Sequence, residues 1–168
     1  MSDYDEEEDA FDDEKINEDI ASPDKRVRAD AIERLAIKTY QQGNSKKTLV
    51  LLDTVLDLRQ EIKDYSGLIA TFTQRGFVNS ELGHFKEALE SYLGAVESAQ
   101  LAHNTIAEID SLHHCGTMMR KLKDAGKAAQ YYGEALELAN EIDYKYKRHI
   151  QADYARMLRK IGDLEKAE

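Results

Sequence analysis

The chain has 168 residues, 42% of them apolar, and 33 Asp and Glu against 23 Lys and Arg give it a formal charge of -10. That length suits one domain of ordinary size, and the acidic balance argues against a nucleic-acid partner, which would draw on clustered cations. A single cysteine, Cys115, excludes an internal disulfide framework, and no apolar run approaches the roughly eighteen residues a membrane span requires.

The opening MSDYDEEEDAF has neither the basic nor the apolar region of a signal peptide, so the chain reads as cytoplasmic. Residues 1–21 are dominated by Asp and Glu, too poor in apolar residues to order themselves, and read as a disordered acidic tail. Ser22-Pro23-Asp24 then predicts a helix start, with Ser22 as cap and Pro23 in the first turn. That helix should run to about Gln42, with Ile32, Leu35, Ala36 and Thr39 on one face, and Gly43-Asn44 should end it. Ser45 to about Lys63 is the second helix, and its LVLLDTVLDL carries apolar residues on more than one stripe.

Tyr65 to Leu82 and Phe85 to about His103 form the clearest pair, joined at Gly83-His84. A shift of forty residues carries Gly76 onto Gly116, Ala88 onto Ala128, Tyr92 onto Tyr132 and Ala95 onto Ala135. Thr105 to Leu122 and Gly126 to Glu141 are therefore the next copy, and residues 22–64 are a degenerate earlier one. Tyr146 to Ile161 begins another, one residue short of the period, with Ala155 in the place of Gly116. Gly162-Asp163-Leu164 should start the helix after it, left incomplete within residues 144–168. The units are thus 22–64, 65–104, 105–143 and 144–168, in one helical domain of residues 22–168.

Gly83-x-Phe85-x-x-Ala88-x-x-x-Tyr92-x-x-Ala95, preceded by Phe72 and Gly76, resembles the tetratricopeptide repeat in a long form of about forty residues. The resemblance implies an all-α, right-handed superhelix of antiparallel helix pairs. Gly76, Ala88, Tyr92, Ala95, Gly116, Ala128, Tyr132 and Ala135 would be its packing residues. It also implies that the first helix of each pair lines a concave groove. There it would place Thr73 and Phe77, then His113, His114, Thr117, Arg120 and Lys121, then His149, Arg156, Arg159 and Lys160. Family members that grip a C-terminal carboxylate use basic and asparagine side chains at places held here by Thr73, Phe77, His114, His149 and Asp153, so that clamp is absent.

His113-His114-Cys115 is the one cluster of metal-type ligands, but neighbouring helical residues point about 100° apart, and Cys115 falls on the inner face. No phosphate-cradling glycine loop or nucleophile turn occurs. These readings predict a non-catalytic protein-interaction module, with no metal and no cofactor, that takes an acidic peptide or protein segment at the basic end of its groove. The rival is a scaffold or self-associating subunit whose open C-terminal end stacks on another chain. The acidic tail, tethered to the same molecule, could fold over the basic groove end and mask it.

Overall fold

The computed structural model describes residues 14–165, all of its regular elements being helices: α1 (residues 14–20), α2 (Lys25–Gln41), α3 (Ser45–Glu61), α4 (Tyr65–Glu81), α5 (Phe85–Leu101), α6 (Thr105–Lys121), α7 (Ala125–Glu141) and α8 (Lys147–Glu165). From α2 to α7 the helices start every twenty residues and are each 17 residues long. The links repeat as closely. Gly43, Lys63, Gly83, His103 and Lys123 all adopt positive φ, between 53° and 80°. The next residue turns its amide back onto the carbonyl five residues earlier, as in Asn44 to Thr39 (3.1 Å), Asn104 to Ala99 (2.9 Å) and Asp124 to Met119 (3.0 Å). That same residue then opens the following helix, because the side chains of Asn44, Asn104 and Asp124 accept from the amides of Lys47, Ala107 and Lys127. One residue thus serves two helix ends, its backbone amide closing the first and its side chain capping the second.

The chain divides into two compact units, residues 1–67 and 68–168, with the first turn of α4 belonging to the first. In the first unit, α2 and α3 pack through Ala29, Ile32 and Val55, with Ile20, Leu51 and Leu58 around them. Its most consequential residue is Arg59, whose side chain is only 5% exposed. The guanidinium donates to Asp30 (2.8 Å), to both oxygens of Glu33 (3.0 and 2.9 Å) and to the carbonyl of Gly67 (2.8 Å). Burial works against its charge, and the bonds from Glu33 and Asp30 more than offset that, holding the group above its ordinary value. No feature of the sequence reading marked Arg59 as internal.

Two sequence expectations for this unit need correction. Part of the supposed tail is ordered: residues 14–20 are helical, with Ile16 only 2% exposed and Asp19 bonded to Arg34 at 2.7 Å. The apolar residues Ile16 and Ile20, four apart, suffice to dock a short helix of about two turns that composition alone had discounted. Residues 1–13, with most of the acidic run, lie outside the described residues. The first cap is Asp24 rather than Ser22, since Asp24 accepts from the amides of Arg26 (2.8 Å) and Val27 (3.4 Å), and Pro23 stands just before the helix.

In the second unit α5, α6, α7 and α8 each pack on the next, around Tyr92, Ile109, Leu112, Cys115, Met118, Tyr132, Ile150 and Met157. A Cβ built on Gly76 would lie 2.8 Å from the ring of Tyr92, and one on Gly116 would lie 2.6 Å from the ring of Tyr132. Ala88, Ala95, Ala128 and Ala135 are fully buried beside them. The last helix departs from the sequence reading. Ile142 is extended (φ -128°, ψ 161°), so the link before α8 lacks the left-handed residue of the others, and α8 starts two residues later than the spacing sets. Its inner residues are Ile150 and Met157, which lie forty-one beyond Ile109 and Gly116, while Ala155 is exposed. Nor is there a turn at Gly162-Asp163, because α8 runs through both. A glycine in a helix costs about 1 kcal/mol, which by itself does not stop one.

Candidate functional site

Helix α6 buries Ile109, Leu112, Cys115 and Gly116, which leaves Asp110, His113, His114 and Thr117 as a row on another face at helical spacing. The irregular link 142–146 then places Tyr144 and Tyr146 beside that row. Tyr144 donates its hydroxyl to Asp110, and its ring meets that of Tyr146 edge-on at 6.0 Å. Burial first, and then the bond to Asp110, push the Tyr144 phenol well above its ordinary range. His149 and Ile150 complete a pocket of about 200 Å³ with Asp110, His113, His114 and the two tyrosines.

The imidazoles are already engaged. His114 stacks on Tyr92, with centroids 4.7 Å apart and planes 18° from parallel. His113 Nε2 lies 2.9 Å from Asp153 of α8, and the same carboxylate accepts from Arg156 at 2.7 Å. The two neighbouring rings are 6.3 Å apart and tilted, which follows from their divergence on the helix. Among the described residues no group of three His, Cys, Asp or Glu side chains is placed to hold a metal ion. Burial raises the Cys115 thiol to about 12, helped by Glu134, so the thiolate is scarce at neutral pH.

His114 offers a test. Burial, assisted by His113 and opposed by Asp110, pushes it below its ordinary value. A histidine kept neutral in the fold, but free to protonate when unfolded, contributes no penalty above the unfolded value of about 6.5 and lowers stability as pH falls through it. His114→Phe keeps the stacking and removes the titration. Its melting temperature should fall less than that of the parent between pH 7 and pH 5, and parallel curves would show that His114 is not held neutral.

The other residues expected in the groove are dispersed. Thr117 bonds to the carbonyl of His113 (3.1 Å) and lies 3.2 Å from the Tyr132 hydroxyl. Lys121 Nζ sits 4.9 Å over the ring of Phe85, a cation–π contact that draws it toward α5. Arg120, Arg159 and Lys160 are exposed, and among the described residues none of the three forms an ion pair. Thr73 donates to the carbonyl of Ile69 at 2.7 Å, and Phe77 is exposed; neither lines the pocket. Tyr144 was missed because it falls in a link, where helical periodicity carries no information.

The helix pairs make an all-helical fold of the tetratricopeptide-like repeat kind. No protein-family model and no curated protein sequence matches the chain. Among solved structures it is similar to BtubC (BKLC) from P. vanneervenii, with a TM-score of 0.77 and 14% identity over 95% of this chain and 67% of that one. A putative kinesin light chain from Podosopora anserina with nearly identical TPR-like repeats gives 0.74 and 14%, over 94% and 79%. The tetratricopeptide repeat sensor protein of Pyrococcus horikoshii, a signal transduction ATPase with numerous domains, gives 0.74 and 22%, over 90% of this chain and 24% of that one. These likenesses concern the fold. No described helix is long and apolar enough to cross a membrane.

Proposed function

We propose that the protein is a non-catalytic interaction module that holds an extended, acidic peptide segment along α6 and α8. The observation that carries this reading is the arrangement on α8: the pocket residue His149 at one end, and ten and eleven residues on the cations Arg159 and Lys160, which form no ion pair among the described residues. At about 1.5 Å per helical residue that distance is roughly 16 Å, the length of about five extended residues. A side chain in the aromatic pocket and carboxylates over Arg159 and Lys160 would fit one short peptide. The pocket supplies shape and stacking surface, and the cations supply the preference for acid.

The test is anisotropy titration of a labelled peptide with one aromatic residue followed by glutamates, against its lysine counterpart. Arg159→Glu combined with Lys160→Glu reverses two exposed charges, each contributing up to about 1 kcal/mol, so affinity should fall roughly tenfold or more. Equal affinity for the two peptides, or for the two proteins, would sink the proposal.

A second reading, self-association through α8, is favoured by Leu158, 48% exposed beside exposed Ala155. Under it, concentration-dependent light scattering would disappear in Leu158→Glu.

A further inference from the structure

A second concave surface shares no lining residue with the aromatic pocket. A cleft of about 390 Å³ is lined by α5, α7 and the start of α6. Its apolar part is made by Leu93 (38% exposed), Val96, Leu112, Tyr131 and Leu138. Glu108, Glu134, Glu137 and Glu141 stand around it, and no Lys, Arg or His lines it. Gln100 bonds to Glu108 (2.8 Å) and Gln130 to Glu134 (3.0 Å), both neutral donors. Among the described residues, none of the four glutamates forms an ion pair. Glu134, Glu137 and Glu141 follow one another at three and four residues on α7, where like charges repel and weaken a helix. Packing alone gives no reason to hold an uncompensated acidic row beside apolar side chains.

We propose that this cleft is a docking surface for a basic amphipathic helix of a partner protein. Charge complementarity selects the sign: four carboxylates that form no ion pair among the described residues call for lysine or arginine, and the apolar floor calls for one or two aliphatic side chains between them. Spacing selects the helix. Along α7, Tyr131, Glu134, Leu138 and Glu141 alternate apolar and acidic at steps of three or four residues, about 5 Å apart. The i, i+3 and i+4 positions of a docked helix recur at the same distance, whereas same-side residues of an extended strand recur at about 6.8 Å. The surface stands independently of the groove reading, since it requires a ligand of the opposite charge.

The experiment uses the full chain and two labelled synthetic helical peptides of about eighteen residues, one with leucine and lysine faces and one with glutamate in place of lysine. The lysine peptide should bind, weaken steeply between low and high salt as the charges are screened, and shift amide resonances of residues 93–100 and 131–141. Glu137→Lys combined with Glu141→Lys changes two exposed residues that the core does not use, and should reduce affinity at least tenfold with the melting temperature kept. Arg159→Glu should leave it unchanged. The proposal is overturned by equal binding of the glutamate peptide, by unchanged affinity in the double variant, or by shifts confined to α8. Self-association of the free protein that the double variant abolishes would also overturn it, by assigning the cleft to a second copy.

Discussion

Arg59→Met is expected to destabilise the first unit by about 3 to 5 kcal/mol, the range for removing one partner of a buried charge network. Methionine fills the stem of the arginine, so volume changes little. What is lost includes the bonds to Asp30, Glu33 and the Gly67 carbonyl and the ion pair with Asp64 at 3.7 Å. Asp30 is 55% exposed and can turn to water, and Asp64 keeps its pairing with Arg26 at 3.5 Å, whereas Glu33 is 16% exposed and its carboxylate stands in a partly dry site. Most of the effect should therefore come through Glu33. Pairing Arg59→Met with Glu33→Gln should recover part of the loss, and urea unfolding of the parent, both single variants and the double variant reads the coupling. A single variant within about 1 kcal/mol of the parent would show that the carboxylates are satisfied without the guanidinium.

Gly116→Leu should have the second largest effect. The first added carbon already lies 2.6 Å from the Tyr132 ring, and Tyr132 is fully buried, with no open side to move toward. Overfilling such a contact costs about 3 kcal/mol or more, roughly 10 °C in melting temperature for a chain of this size. Gly133→Ala is the matched control, because its added carbon would meet Tyr154 at 3.6 Å, an ordinary contact. It should be neutral or slightly stabilising, as alanine favours the helix by up to about 1 kcal/mol. Equal melts for the leucine and alanine variants would mean that Gly116 has room.

The helix pairs were legible because small and large residues must alternate at fixed distances for helices to approach, and Gly76, Tyr92, Gly116 and Tyr132 display that need as a forty-residue echo. The shorter period of twenty was not. Its marker is the left-handed position, and glycine fills it only at 43 and 83, while Lys63, His103 and Lys123 hold the same backbone with ordinary side chains. The caps that follow are Asn, Asp or His, which share geometry more than identity. The register of α8 was hidden because the preceding link abandons this pattern, and a forty-residue template cannot foresee an insertion. Of the candidate pocket, His113, His114 and His149 could be found from position on the repeat. Tyr144 and Tyr146 could not, since their place depends on how an irregular link folds back. Arg59 escaped notice because a buried arginine looks in sequence like any solvated one, and its partners Asp30 and Glu33 lie on another helix.

The sequential packing of α5 to α8 bears on how order is gained. Each helix rests on its neighbour in the chain, and the hydrogen bond between His113 and Asp153 joins residues 40 apart. Little loop entropy must be lost before a contact forms, so this unit belongs with rapid folders, and structure can spread outward from whichever pair forms first. The α6–α7 pair, buried on both sides, is the natural seed. Helix α8 contacts this body through fewer apolar anchors, chiefly Ile150 and Met157, and can come away while the seed persists. Because the proposed peptide site spans α6 and α8, a bound peptide would fasten the edge of the unit most prone to open.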